Sequence, residues 1–198
     1  MTLTATWVDA LDARAPDVVA AWRSIDDGTV ASVRQEVHRR SGDGTAESIA
    51  TQLGTLAVAL ADYVEAVPEP VLRLPGGEGD WNVAQTIGHA CDARAGLSLA
   101  AALAARGRWP AEAPDVIPGV PGAPDADEPT LLRRIAQSQR LVERAARTVA
   151  GHETTPCPLR HPLVGQLRCG EWLVFAGVHD LMHLEQLHAL ATRIGDPA

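Results

Sequence analysis

From Thr45 onward the apolar positions of the chain fall on a helical period. Ile49, Leu53, Leu56, Leu60, Val64 and Val67 recur at steps of three and four until Pro68, and Thr45 is placed to cap the start. After the turn-rich link PEPVLRLPGGEGD, Asp80 is placed to cap a second helix that enters at Trp81 and runs to about Arg106. That helix is rich in small residues. Its face carrying Gln85, His89, Ala93 and Gly96 has so little bulk that another helix could approach closely there, or a cavity could open. A third helix is predicted from about Thr130 to Val149, carried by Leu131, Leu132, Ile135, Leu141, Val142, Ala145 and Val149, with Gly151 placed to end it. The fourth, Leu167 to Gly195, has a stripe of Trp172, Phe175 or Ala176, His179, Met182 or His183, Gln186 or Leu187 and Leu190.

The intervening segments lack this period. Gly107 to Pro129 holds six prolines and three glycines and reads as an exposed crossover loop, with a rim over a pocket at the helix ends as the functional alternative. His152 to Gln166 reads as a second proline-bearing connection. Ahead of the four helices, Trp7, Leu11, Val18, Trp22 and Ile25, then Val30, Val33 and Val37, fit two short helices broken at Pro16 and at Asp26-Asp27-Gly28. SGDG, residues 41–44, is a joint. The expected fold is all-α: a four-helix up-down bundle over residues 45–198, preceded by an N-terminal helical extension over residues 1–44.

Composition narrows the function. The 198 residues suit one ordinary domain, and 46% hydrophobic with 21% charged is the balance of a soluble globular protein. All 17 basic residues are arginine, so Schiff-base lysines, phosphate-loop lysines and lysine general bases are excluded. A net charge of -8 without a basic face argues against nucleic acid. No apolar run is long enough to span a membrane, and MTLTATWVDALDAR lacks the basic-then-apolar pattern of a signal peptide. Cys91, Cys157 and Cys169 show neither zinc-ligand spacing nor a disulfide framework. The expected location is therefore the cytoplasm.

Candidate chemistry centres on histidine. His179 and His183 are four residues apart, so a helix places both imidazoles on one face, and the stripe they belong to turns that face inward. Buried imidazoles need partners for their ring nitrogens, and both a shared metal ion and separate structural hydrogen bonds would supply them. His89, inside the second helix, is the candidate third ligand; its structural alternative is a hydrogen bond to a backbone carbonyl. His152 and His161 lie in a loop, His38 lies in the extension, and His188 falls off the 179/183 face. Cys91, two residues after His89, is about 200° around the helix and so points away from any ligand direction.

Two segments carry a family resemblance. GDWNVAQTIGHACDA, from Gly79, resembles the second-helix motif of the DinB-like (YfiT-type) four-helix metal-binding proteins: a Trp, a polar turn, then a His eight positions on. HPLVGQLRCGEWLVFAGVHDLMHLEQL, from His161, is similar to that family's closing motif, a His-Pro before a Gly and then a helix ending in HDxxHxxQ. The resemblance covers roughly Thr45 to Ile194, with both motifs matched in order and spacing. It implies His89, His179 and His183 as metal ligands, with Gln186 as a hydrogen-bonding partner of the ligands or a substrate contact. Gln85, on the His89 face, is a candidate for the same role. His161 matches the His-Pro, where a structural turn is expected, and Asp180 and Glu185 point away from the ligands.

The resemblance further implies a divalent metal, zinc first and nickel next, and a metal-dependent thiol S-transferase or related detoxification enzyme. Its partners would be a small-molecule thiol and an electrophile, and the chain would pair as a homodimer through outer helix faces. A metal-dependent hydrolase and a non-catalytic metal-binding stress-response protein are the alternatives. No residue is assigned as a protein nucleophile.

Overall fold

The computed structural model describes residues 6–27, 30–76 and 81–195. Its body is four long helices, α4 (Ala46–Ala66), α5 (Val83–Ala105), α6 (Glu128–Val149) and α7 (Cys169–Gly195). Helices α5 and α7 pack together, and each also borders one of the other two. α4 lies against α6 and α7, so the order around the bundle is α4, α6, α5, α7. Two of the three connections therefore cross a diagonal, which the simple chain-neighbour arrangement does not anticipate. The all-α bundle expected from the periodicity is present.

Arg94 braces this arrangement from the inside. Its side chain, fully buried on α5, donates through Nη2 to the Leu53 carbonyl of α4 (2.9 Å) and to Gln139 Oε1 of α6 (2.8 Å). Nε lies 3.4 Å from Asp180 Oδ2 of α7. One guanidinium thus touches the other three helices of the bundle, and its planar fork of donors suits that task.

The residues before Thr45 join the same core. They form α1 (Thr6–Asp12), α2 (Pro16–Arg23), a 3-10 turn (Ser24–Asp27) and α3 (Val30–Arg40). There are thus three helices where two were expected, because Pro16 starts α2 as its first residue instead of only breaking the chain. The open N-terminus of α2 is satisfied from α4: Gln52 Oε1 accepts from the amides of Asp17 (2.9 Å) and Val18 (3.2 Å). Val18 and Val19 are fully buried in the cluster that also holds Leu53 and Trp172. α2 reaches α7 closely because residue 177 is glycine, where an added Cβ would sit 2.6 Å from Val18 Cγ1.

Two cap assignments change. The start of α4 is capped from a distance: Glu153 Oε1 accepts from the amides of Gly44 (3.1 Å) and Ala46 (3.4 Å), whereas the Thr45 hydroxyl turns back to the Gly42 carbonyl. Asp80, the expected cap of the second helix, lies outside the described residues. The observed cap is Asn82, whose Oδ1 accepts from Gln85 N (2.7 Å), so the helix starts at Val83 and Trp81 stands before it.

The predicted connection 152–166 contains a hairpin. β1 (Pro156–His161) pairs antiparallel with β2 (Gly165–Arg168), and α7 begins at Cys169 directly after it. The two prolines sit at exposed strand positions while Cys157, Leu159 and Leu167 turn inward, which is how a proline-bearing edge strand is tolerated. The crossover loop continues this edge: Ile117 N donates to the Arg160 carbonyl (3.0 Å) and Arg160 N to the Asp115 carbonyl (2.8 Å).

Candidate metal centre

α5 and α7 bring three imidazoles to one point. His179 Nε2 lies 3.3 Å from His89 Nε2 and 3.3 Å from His183 Nε2, and one ligand atom from each ring falls within 4.8 Å of the others. The far nitrogens explain what these contacts are. His89 Nδ1 donates to the Val120 carbonyl at 2.8 Å and His183 Nδ1 to Gln186 Oε1 at 3.0 Å. A neutral imidazole that donates from Nδ1 presents a bare lone pair at Nε2. At least two lone pairs therefore face His179 at close range.

A proton on His179 Nε2 could serve only one of them well; a cation serves all three. Metal–nitrogen bonds of about 2.0–2.1 Å at a tetrahedral angle put ligand nitrogens about 3.3 Å apart, which is the separation seen here. The donor set therefore fits a divalent transition metal. Burial pushes His179 down to about 3, helped by the charges His183 and His89 would carry, and pushes His183 down to about 4. Both stay in the neutral form that ligates. His179 Nδ1 is buried without a hydrogen-bond partner, so this ring is placed by packing, with the His89 ring of α5 5.1 Å away and the His183 ring of α7 4.5 Å away.

The surroundings fix the other two rings. Trp81 lies over both, its centroid 4.6 Å from that of His89 and 6.3 Å from that of His183, nearly parallel to the latter. The crossover loop is pressed onto α5 where two glycines permit it. A Cβ on Gly88 would meet Ala123 N at 2.6 Å, and one on Gly122, at φ 74°, would collide with the Gln85 carbonyl. This approach delivers the Val120 carbonyl to His89.

The remaining candidate residues go to different tasks. Gln186 holds His183. Gln85 donates through Nε2 to the Pro121 carbonyl (3.0 Å), so it anchors the loop that orients His89. His161 accepts at Nδ1 from the amides of Leu163 (3.1 Å) and Val164 (3.4 Å), which is the structural turn its His-Pro suggested, and its ring packs edge-on against Phe175. Asp180, next to His179, points about 100° around α7 from it, to Arg94. His38 pairs with Glu171 (2.6 Å), and His188 stacks on Trp7. Cys91 is buried, and burial pushes its thiol up to about 12.

A cavity of about 390 Å³ opens on the His89 and His179 side of the cluster, lined also by Ala93 and Gly96 of α5, Phe175 of α7 and His161 of the hairpin. Its outer wall is residues 109–120 of the crossover loop, which is therefore a rim and not a free surface connection. Sequence reasoning missed three participants: Trp81 as a cover, Val120 through its carbonyl, and Asp92 on the cavity wall. The first sat inside a helix by expectation, and the second acts through a backbone atom that no side-chain pattern reveals. Asp92 is one turn beyond His89, and that spacing alone could have found it. Both of its oxygens accept from Arg134 Nη2, at 2.6 and 2.7 Å.

No described helix is long and apolar enough to cross a membrane. No curated protein and no solved structure matches the chain. Residues 52–187, from inside α4 to within α7, match the DinB superfamily, and the match contains all three histidines and the loop that orients them. On that match, which spans more than half of its length, the chain belongs to the DinB superfamily.

Proposed function

We propose that the chain is a metal-dependent thiol S-transferase that joins a low-molecular-weight thiol to a small electrophile. The observation that carries this reading is what borders the cavity beside the histidines. Its one carboxylate among the described residues, Asp92, is engaged by Arg134, and none of them lining it is a cysteine, serine or lysine. His161, on the same wall, has its Nδ1 lone pair taken by the amides of Leu163 and Val164, so the site offers no free general base and no protein nucleophile, and the nucleophile comes with a cosubstrate. A thiol is the cosubstrate that a histidine-held cation serves best. When bound, a divalent cation would favour the thiolate form of a coordinating thiol at neutral pH.

The protein's own residues then do the positioning. Val120 and Gln186 hold His89 and His183 as Nε2 donors. Trp81 covers one side of the cluster, and the cavity on the other side is the route by which an electrophile and solvent reach it. The sulfur forms its bond to the electrophilic carbon and the thiol proton passes to solvent; the displaced electron pair leaves with the departing group or, in an unsaturated electrophile, moves to the neighbouring atoms and takes up a proton from solvent. Three neutral imidazoles with open positions suit zinc, with nickel next.

The test is thiol consumption by the metal-loaded protein against a panel of halogenated and unsaturated electrophiles. Thiol-dependent product formation, lost in His179→Ala, is expected. Turnover without thiol would point instead to hydrolysis, and no turnover with any thiol would leave a non-catalytic metal-binding protein.

A further inference from the structure

The cavity next to the histidines has a chemistry of its own. Its walls are Leu97, Leu103, Trp109, Ile117, Leu159 and Phe175, joined by four prolines, 110, 114, 118 and 162, that carry no N–H to offer. The single formally charged residue on the wall among the described residues, Asp92, is neutralised by Arg134, whose Nη2 donates to both carboxylate oxygens. No arginine lines the cavity among the described residues, so an anion entering it would lose its hydration shell and find no cation on the walls.

The walls are also set in advance. The crossover loop is stitched to the hairpin by backbone bonds through Arg160 and to α5 through Val120 and Pro121. At about 390 Å³ the cavity is at the small end of ligand sites, suited to a body of one or two rings.

We propose that this cavity is the binding site for the electrophile, and that the electrophile is an uncharged molecule with an apolar, ring-sized body whose reactive end is held at His89 and His179. The assignment of that molecule as electrophile rests on the transferase reading above; the selectivity of the cavity for uncharged apolar ligands does not. A polar thiol has no partners on these walls, so the same features that admit the acceptor keep the thiol's body out of it.

Nitrobenzene and benzoate have nearly the same shape and differ in charge, which makes them a matched pair of probes. Their affinities are to be measured by ligand-observed NMR titration on the full chain, once zinc-loaded and once with chelator, and on Gly96→Leu. Gly96 lies on the cavity wall and a Cβ there meets nothing within 4 Å, so a leucine starts from open space beside the cavity and improves the helix propensity of α5. Should that variant fail to fold, Trp109→Ala, which removes a wall from an exposed loop, takes its place. In the chelated protein nitrobenzene is expected to bind at least tenfold more tightly than benzoate, and at least tenfold more weakly to either variant. Equal or tighter benzoate binding would overturn the proposal, as would no binding of either probe, or nitrobenzene binding that ignores both variants. Selective binding without thiol turnover would refute the transferase reading and leave the cavity assignment standing.

Discussion

Helices α5 and α7 meet twice through polar side chains, and the two meetings differ in nearly every physical respect. At one, His89 of α5 faces His179 and His183 of α7, partly buried and open to a cavity. At the other, Arg94 of α5 faces Asp180 of α7 with no exposure at all. His179 and Asp180 are chain neighbours that point about 100° apart around one helix. Arg94, through Asp180, Leu53 and Gln139, ties four helices together and has no route to a ligand. The histidine cluster ties two helices and leaves its lone pairs directed at a common point. Burial with complete enclosure marks the structural pair; convergence beside a cavity marks the functional one.

The largest expected effect comes from breaking the enclosed pair. Asp180→Ala leaves Arg94 buried with less compensation and should lower stability by about 3–5 kcal/mol in denaturant titration, while Arg94→Met with Asp180→Leu should recover much of that loss. A single variant as stable as the wild type would mean that the pair is solvated and unimportant. On the histidine side the expected signature is pH dependence. His179 and His183 have folded-state values pushed down to about 3 and about 4, below the usual 6.5. Between pH 6.5 and those values the unfolded chain holds protons that the metal-free fold does not. Metal-free protein should therefore lose stability as pH falls from 7 toward 4, by up to about 1.4 kcal/mol per pH unit for each such proton. His179→Ala should flatten that slope; an unchanged slope would mean that no buried neutral histidine contributes to it. Asp180, raised to about 6 by burial against the lowering influence of Arg94, works in the opposite sense and favours the fold as pH drops through 6 toward 3.8.

A smaller effect separates orientation from ligation. Gln186→Leu should weaken metal affinity by about tenfold, with the melting temperature of the metal-free protein unchanged, since the amide holds only His183 Nδ1. Competition against a chromogenic chelator would read this directly. Smallest on the metal side is Cys91→Ser: two residues from His89 but buried and facing the enclosed half of α5, it should leave metal content at the wild-type level. Metal loss there would collapse the distinction between the two faces of α5.

How far these two regions could be seen in the sequence follows from how local their causes are. α4 and α6 each bury a stripe, and α7 does so in its second half after a first half buried on every side from Cys169 to Val178, so their apolar period is visible. α5 is buried nearly all round and built from alanine and glycine, and its period could not say which side was the working one. The HxxxH pair of α7 and the position of His89 were legible because both are spacings within a helix. What holds them was not. The Val120 carbonyl arrives from 31 residues away across a proline-rich loop, and the Glu153 cap of α4 comes from beyond two helices. The hairpin 156–168 alternates inward and outward as a strand should, but the two prolines of β1, Pro156 and Pro158, masked the pattern. Arg94 gave no sign of being the bundle's internal brace, because an arginine on an alanine-rich helix ordinarily faces water.

The central claim is that His89, His179 and His183 form a metal site. The most direct measurement is elemental analysis of untagged protein alongside His89→Ala, His179→Ala and His183→Ala, each shown to be folded by circular dichroism. About one divalent metal ion per chain is expected in the wild type, with stoichiometric binding abolished in all three variants. Wild-type metal content in folded His179→Ala and His183→Ala would contradict that claim.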